Sequence, residues 1–414
     1  MSERILILGS GGREHALVRH LVLHGHQVFA WPGSDAISLE AQCLHASGLE
    51  SLIECCRKES IKNVIVGPEQ YLFESYADEL SKAGLYVFGP RKEVAQLETD
   101  KAFAKNFFLE NHISTARAIT VSNSLEAKSA LKEFFAPYVV KASGLAQGKG
   151  VWIGASSAEA LKVSEEFLET HDSLVIEEFL EGTELSCFYL VDGMNYEFFG
   201  TAQDHKRLLN NDLGPNTGGM GAVSPSRFEN SELISQIEHE IIKPTLQGLA
   251  NRSLSYRGFL FLGLMRSKEK IYVLEYNCRM GDPETQSVMQ RLESDLWKSI
   301  LDLREGRSSA VRFSPQSAVS VVVAAQGYPT KPTQGIWLGE SLAPKELQIL
   351  HSSTRLTQEK SWTSQGGRIF TVNASGPIRA SREKIYAWIL EWQKSLGPQQ
   401  NQIIYRTDIG ENYE

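Results

Sequence analysis

The stretch Ile5-Leu6-Ile7-Leu8-Gly9-Ser10-Gly11-Gly12-Arg13-Glu14-His15 joins an apolar run to an amphipathic pattern that closes at Gly25. An apolar strand, a glycine-rich turn and a helix in succession open a parallel α/β unit. The turn brings bare amides and the positive end of a helix to one place, which suits an anion such as a phosphate. A tight turn with no ligand fits the same residues equally well. A dinucleotide fingerprint would put glycine at position 14 and an acidic residue after the second strand. Glu14 and Pro32-Gly33 stand there instead, which disfavours a dehydrogenase.

Working outward, Val28–Trp31, Val64–Val66 and Tyr86–Phe88 alternate with amphipathic stretches, so a parallel α/β domain spans 1–100. The texture then changes. A helix carries Lys101 and Lys105, strands follow at 138–141, 151–153 and 174–179, and a helix lies near 157–170. A hairpin of Leu185–Val191 and Tyr196–Phe199 turns on Asp192-Gly193, ahead of a helix near 229–251 and strands 258–265 and 270–277. These form a second domain over 101–305, with a lobe at about 120–187. Its segment 202–225 reads as a long loop carrying Asp204, His205, Lys206, Arg207 and Asp212, and loops beyond ~12–15 residues are commonly functional. Residues 305–317 are small and polar, a linker to an α+β domain at 318–414 with strands 318–325 and 368–373 and a helix near 381–395. The fold class is therefore multidomain α/β and α+β.

The 414 residues hold 42 basic against 50 acidic side chains, a net charge of −8, which argues against a nucleic-acid or anionic-membrane partner. The five cysteines are odd in number and form no C-x-x-C pair, fitting a reducing cytoplasm. No run approaches the ~20 apolar residues of a membrane span. The expected partners are small molecules, for a chain that is a monomer or a weak homo-oligomer.

Lys141-Ala142-Ser143-Gly144-Leu145-Ala146-Gln147-Gly148-Lys149-Gly150 is a glycine-rich loop with a lysine near each end, able to fold over a triphosphate. It is not a Walker A loop, because Gly144 and Gly148 are one residue too close and Gly150 stands where Ser or Thr would bind magnesium. A plain mobile hairpin turn is the bland alternative. Glu275 and Asn277 lie two apart on a strand, so both oxygens project from one face and suit Mg²⁺, which takes one or two protein ligands and leaves the rest to water and phosphate. Taken alone, such a pair is more often a solvated face. Arg279-Met280-Gly281-Asp282-Pro283-Glu284 then concentrates charge at the strand end. Glu177-Glu178-Phe179-Leu180 is either a strand end or a hinge for an adenine and its ribose.

In order along the chain, GSGGREHAL, GPE at 67–69, KASGLAQGKGV, VIEEFLEGTELS, QDHKR, GPNTGGMGAVSP, GFLFLGLM, LEYNCRMGDPETQ, GGRIFTV and YRTDIG closely resemble the phosphoribosylamine-glycine ligase family of ATP-grasp enzymes. The resemblance implies a pre-ATP-grasp domain, a two-lobed ATP-grasp domain and a C-terminal domain. It implies ATP with Mg²⁺ or Mn²⁺, and a purine-biosynthetic reaction joining glycine to 5-phosphoribosylamine through glycyl phosphate. By position it puts Lys105, Lys141, Ser143, Gly144, Gly148 and Lys149 on ATP phosphates, Glu177, Glu178 and Phe179 at the hinge and Glu184 on the ribose. Glu275 and Asn277 would hold the metal. Gly11, Gly12, Arg13, Glu14, Gly33, Pro68 and Glu69 would face the phosphorylated amine, together with Arg207 and Asn216. Lys206, Asp212 and Arg279 would be catalytic, with Asp212 and Arg279 on glycine's ammonium and carboxylate.

The chain departs from the family at Ser34-Asp35-Ala36-Ile37, where PGNAGT is usual, and at Gln70–Ser75 after GPE. Ser10 replaces an asparagine, and the grasp loop carries Ser143 and Gln147. The first two segments border the amine pocket, where an acidic Asp35 opposes an anionic substrate unless the pocket differs. They leave open a divergent ligase with another amino acid or amine.

Overall fold

The computed structural model describes residues 2–144, 150–307, 311–340, 342 and 346–413. Its first sheet is five-stranded and parallel, ordered Gln42–Cys43, Gln27–Pro32, Arg4–Gly9, Asn63–Val66, Tyr86–Phe88. Arg4–Gly9 is central because it is apolar on both faces: Ile5 and Ile7 enter one core cluster, Leu6 and Leu8 another. The chain runs outward from it first to one side and then to the other. The topological switch therefore lies between Arg4–Gly9 and Asn63–Val66, and ligands of such sheets bind outside the carboxyl ends at that point.

A four-stranded antiparallel sheet, ordered Ala118–Val121, Leu174–Glu177, Tyr138–Ala142, Val151–Gly154, carries the helices Ser124–Ala130 and Ser157–Leu168 over a small core of its own. This is the lobe that holds the base of the glycine-rich loop. Leu145 to Lys149 lie outside the described residues.

The largest sheet has nine strands and crosses the boundary that the sequence marks as a linker. Its order is Lys270–Asn277, Arg257–Ser267, Thr183–Asp192, Asn195–Asp204, Gly221–Ser224, Ser317–Ala325, Arg368–Gly376 and Gln348–His351, with Ile403–Ile404 paired beside the end of Ser317–Ala325. The short strand Gly221–Ser224 is the weld. It pairs with Gln203 and Asp204 on one side and with Ala318 to Val321 on the other.

Two sequence expectations are corrected here. Residues 202–225 are not a long loop: the strand Asn195–Asp204 runs to its end, Arg207–Leu209 and Leu213–Asn216 form a two-stranded arm, and Gly221 resumes the sheet. The described part of 305–317 is not a free linker either. Phe313 packs edge-on against Phe199 at 5.7 Å with Arg291 over its ring, and Arg312 O accepts from Glu293 N and Ser294 N. Small polar composition marked both segments as loops, whereas pairing and one aromatic anchor order them.

Among the described residues no helix is long and apolar enough to cross a membrane.

Glu14, the residue at the third fingerprint position, is 2% exposed, and its Oε2 accepts from Gly11 N at 2.7 Å. A Cβ added at Gly67 would collide with this carboxylate and with Leu8 O. Gly67→Ala should therefore destabilise the protein by about 1–3 kcal/mol, because overpacked sites must displace backbone or rotamers. Urea unfolding checks this; an unchanged midpoint would remove Glu14 from the switch point.

Candidate active site

At the carboxyl ends of the parallel sheet, Gly9 has φ +124° and lets the chain turn into the helix Gly12–Leu23, whose first amides face the crevice. Arg13 is buried, its Nε 2.5 Å from Glu14 Oε1 and its Nη1 donating to Met280 O at 3.0 Å. Glu14 therefore shapes the turn, and its carboxylate is occupied by Gly11 N and Arg13. Gly12 lies under the C-terminal domain, since a Cβ there would come within 2.6 Å of Ser352 Oγ. Gly33 borders the same turn, its N donating to Gly9 O at 3.2 Å. Pro68 precedes the short helix Glu69–Phe73 on the far side of the crevice.

Glu69 reaches from that helix to Arg279, with Oε2 3.1 Å from Nε, and Glu98 binds Arg279 Nη2 at 2.8 Å. Arg279 pulls the Glu69 carboxyl down to about 2. Burial pushes Glu98 up, against the pull of Arg279. Arg279 thus joins the N-terminal domain to the end of the strand Lys270–Asn277.

Along that strand Ile271 and Val273 enter the core, and then Tyr276 and Cys278 do. The odd step from 273 to 276 marks a bulge, seen where the register with Arg257–Ser267 slips after Gly263. The bulge turns Glu275 and Asn277 together onto the face opposite the core. Glu275 is surrounded by Lys206, Lys141, Lys101 and Arg279, which hold its carboxyl below the usual range despite its burial. Asn277 Nδ2 is buried without a partner.

Lys105 and Lys141 converge on one carboxylate. Glu177, 2% exposed, has Oε1 3.1 Å from Lys105 Nζ and Oε2 2.8 Å from Lys141 Nζ. The side chain of Glu177 is thus a counter-ion between two cations, and only its backbone is left for a hinge. Burial lowers Lys105 to about 8, with Glu177 opposing and Lys141 adding to the fall. Burial acts the same way on Lys141, but Glu177, Glu275 and Glu184 together oppose it and the ammonium stays above its ordinary value. Glu178 Oε1 accepts from Arg117 N at 2.7 Å, tying the hinge to the neighbouring strand, and Phe179 is 39% exposed beside it. Ser143 Oγ donates to Asp100 Oδ1 at 2.8 Å and accepts from Ala102 N, so the loop base is fastened to the helix Lys101–Glu110. Gly144 then leaves the strand at φ +113°. Gly148 and Lys149 lie outside the described residues.

Lys206 Nζ is 2.8 Å from Glu184 Oε2, and this pair, with Glu275 and Asp204 nearby, raises the lysine above its normal value. The expected pair of glycine ligands separates. Arg279 is engaged by Glu69 and Glu98, whereas Asp212 binds Arg406 of the C-terminal domain at 2.7 Å. Arg207 and Asn216 face each other across the arm, with Arg207 Nη1 donating to Gly214 O.

Several site residues carried no sequence assignment. Glu98 lies on an ordinary amphipathic helix, with no motif to betray it. Lys101 sits near enough to Glu275 to depress its carboxyl, and Arg406 anchors the arm through Asp212 and Asp408. Asp204 and Glu284 are buried near one another, both pushed upward chiefly by burial, and Asp204 Oδ1 has no partner. Arg368 closes the cluster from the C-terminal domain, donating to Gly218 O at 2.6 Å and lying 3.4 Å from Asp282. Two sequence signals pointed to this cluster, the charged run 279–284 and the segment 202–225 that carries Asp204.

Three family models cover the chain: phosphoribosylglycinamide synthetase N domain at 3–98, ATP-grasp (A) domain at 99–285 and C domain at 318–412. The chain is 39% identical over 403 residues to phosphoribosylamine-glycine ligase of Chlorobaculum tepidum, covering 92% of this chain and 95% of that protein. It is 37% identical to the trifunctional purine biosynthetic protein adenosine-3 of Gallus gallus, which matches 99% of this chain but of which the chain spans only 42%. The crystal structure of phosphoribosylamine-glycine ligase from Thermotoga maritima superposes with a TM-score of 0.84 at 33% identity, covering 98% of this chain and 100% of the other. The nine-stranded sheet, the separate antiparallel lobe and the parallel N-terminal sheet are thus those of an ATP-grasp ligase, and the chain belongs to the phosphoribosylglycinamide synthetase family.

Proposed function

We propose that this protein uses ATP to join glycine to the amine of 5-phosphoribosylamine, giving glycinamide ribonucleotide, ADP and phosphate. The observation that carries this reading is the convergence of Lys105, Lys141, Lys206 and Arg279 around a strand end bearing Glu275 and Asn277, one crevice away from a helix N-terminus and Arg13. Transfer of a phosphoryl group to glycine's carboxylate needs charge neutralisation and positioning rather than a protein nucleophile. The amine nitrogen then bonds to the acyl carbon and loses a proton to solvent, and phosphate departs with the electrons of the C–O bond. Lys105 and Lys141 neutralise the ATP phosphates, and Glu177 holds the two ammonium groups at a fixed spacing before the nucleotide arrives. Arg279 and Lys206 face the carboxylate being activated. The phosphate of the amine is taken at this helix N-terminus by Arg13 and the Gly12 backbone, while Gly11, whose amide is held by Glu14, shapes the turn.

The donor set fits Mg²⁺: two hard oxygens project from one strand face, and no group of three acidic, histidine or cysteine side chains that could cage a metal occurs among the described residues. An ion held by Glu275 and Asn277 would draw its remaining ligands from water and phosphates, and it would neutralise the charge on the transferring group. The reading also places the enzyme in the cytoplasm, acting on small molecules.

The altered segments give no ground for another acceptor. Asp35 is turned away to accept from Leu356 N, and Tyr71 packs with Trp31 and Tyr76 at 5.0–5.6 Å. The test is ADP release with Mg²⁺ATP, glycine and phosphoribosylamine generated in situ. Release should require both co-substrates, and turnover only with a different amine or amino acid would overturn the assignment.

Glu275→Gln keeps the shape of the side chain while removing its charge. Turnover should fall by roughly 10² or more and the Mg²⁺ requirement should rise; wild-type turnover would place the metal elsewhere. Lys105, with a pKa of about 8, is charged below that pH and neutral above it. The value of kcat/KM for ATP should therefore decline as pH rises through about 8, and Lys105→Arg should flatten that limb by staying protonated. A decline unchanged in Lys105→Arg would assign the limb to another group.

A further inference from the structure

The segment Ser34-Asp35-Ala36-Ile37, which departs from the family pattern, is clasped from two sides. Asp35 Oδ2 accepts from Leu356 N at 2.8 Å. Leu356 belongs to Thr354–Leu356, an edge strand of a three-stranded sheet in the C-terminal domain; Thr357 N, the next amide, donates to Ser361 O at 2.8 Å, so the alternation of the ladder turns the Leu356 amide outward toward Asp35. Ala36, 2% exposed, packs in the core cluster of that same domain, while Ile37 enters the core cluster that the N-terminal domain shares with the second domain. Within the segment, Ser34 Oγ accepts from Ile37 N, and Asp35 O accepts from Ser38 Oγ at 2.7 Å. On its far side Glu40 accepts from Arg19 and faces His15, both on the helix that begins at the phosphate turn. The preceding Gly33 is bonded to Gly9 O, so these residues form one wall of the crevice assigned to the amine.

We propose that Asp35 is a positioning residue for the acceptor amine. By capping the Leu356 amide it holds the 33–37 wall against the C-terminal domain, so the shape of the amine pocket depends on the docking of a domain that follows it by about 280 residues in sequence. This rests on the function proposed above. It also resolves the charge conflict at this position, because the carboxylate faces an amide donor rather than the substrate phosphate. The contact His351 N to His15 Nδ1, at 3.0 Å, supports the same docking beside it, so loss of the Asp35 bond frees the wall without detaching the domain.

The test uses the full-length protein with Asp35→Ala and Asp35→Asn. In Asp35→Ala, KM for phosphoribosylamine should rise roughly tenfold, the scale of one hydrogen bond to a charged acceptor, with kcat and the KM values for ATP and glycine within about twofold of wild type. Asp35→Asn retains an acceptor oxygen and should restore most of the loss. Hydrogen exchange without substrates should quicken at 33–41 and 354–356 in Asp35→Ala and nowhere else. An unchanged KM for the amine, an equal rise in all three KM values, or exchange quickened across the whole N-terminal domain would overturn the proposal. Wild-type protein inactive with phosphoribosylamine would overturn the function and the acceptor role together, and the exchange data would then show separately whether Asp35 holds the wall.

Discussion

Arg279 lies between Glu69 and Glu98, 3.1 and 2.8 Å from their oxygens, while Glu98 also accepts from Cys278 N at 2.6 Å. One guanidinium therefore ties the helix after the fourth parallel strand, the helix leading out of the N-terminal domain and the end of the strand that carries Glu275 and Asn277. Met280 O, one residue on, receives Arg13 from the phosphate turn. Removing one member of this half-buried set leaves its partners' charges uncompensated, which destabilises the arrangement. The arrangement fixes the distance between the crevice of the parallel sheet and the strand that carries Glu275 and Asn277, and rigid positioning of two reactants is a large part of what a ligase must supply.

A second constraint acts through the backbone. The four residues Gly221–Ser224 bond to the ATP-grasp strand Asn195–Asp204 and to Ser317–Ala325, so the C-terminal domain continues the sheet of the catalytic body. Its residues reach the site as a result: the side chains of Arg368 beside Asp282, Arg406 on Asp212 and Ser352 over Gly12, and the backbone amide of Leu356 on Asp35. The antiparallel lobe differs in having its own core and its own sheet. It contacts the body through a few polar anchors, chiefly Glu177 with Lys105 and Ser143 with Asp100. A lobe joined by ion pairs and hydrogen bonds can shift over a nucleotide more readily than one joined by a continuous sheet.

Charge within the crevice is balanced locally. Glu177 answers two lysines, Glu184 answers Lys206, and Glu275 sits among four cations. Each carboxylate offsets the charge of the cations packed around it. Burial lowers both Lys101 and Lys105 against the pull of their carboxylates, Lys105 to about 8.

The sequence by itself determined the parallel N-terminal domain, the placement of Lys105, Lys141, Glu275 and Asn277 on their elements, and the ATP-grasp family. Alternating apolar runs and glycine turns are local signals, and the E-x-N spacing puts Glu275 and Asn277 on a shared face without saying which face that is. Tertiary structure alone decided that Glu177 turns inward as a counter-ion, that Asp212 pairs with Arg406 rather than standing beside Arg279, and that a bulge at 263–264 sets the face on which Glu275 emerges. It also decided that 202–225 is strand and arm, and that Asp35 faces a distant domain. These outcomes depend on pairings that reach as far as the 321 residues between Asp35 and Leu356, set by which charges and edge amides must be satisfied once the cores have packed, and no local pattern encodes that choice.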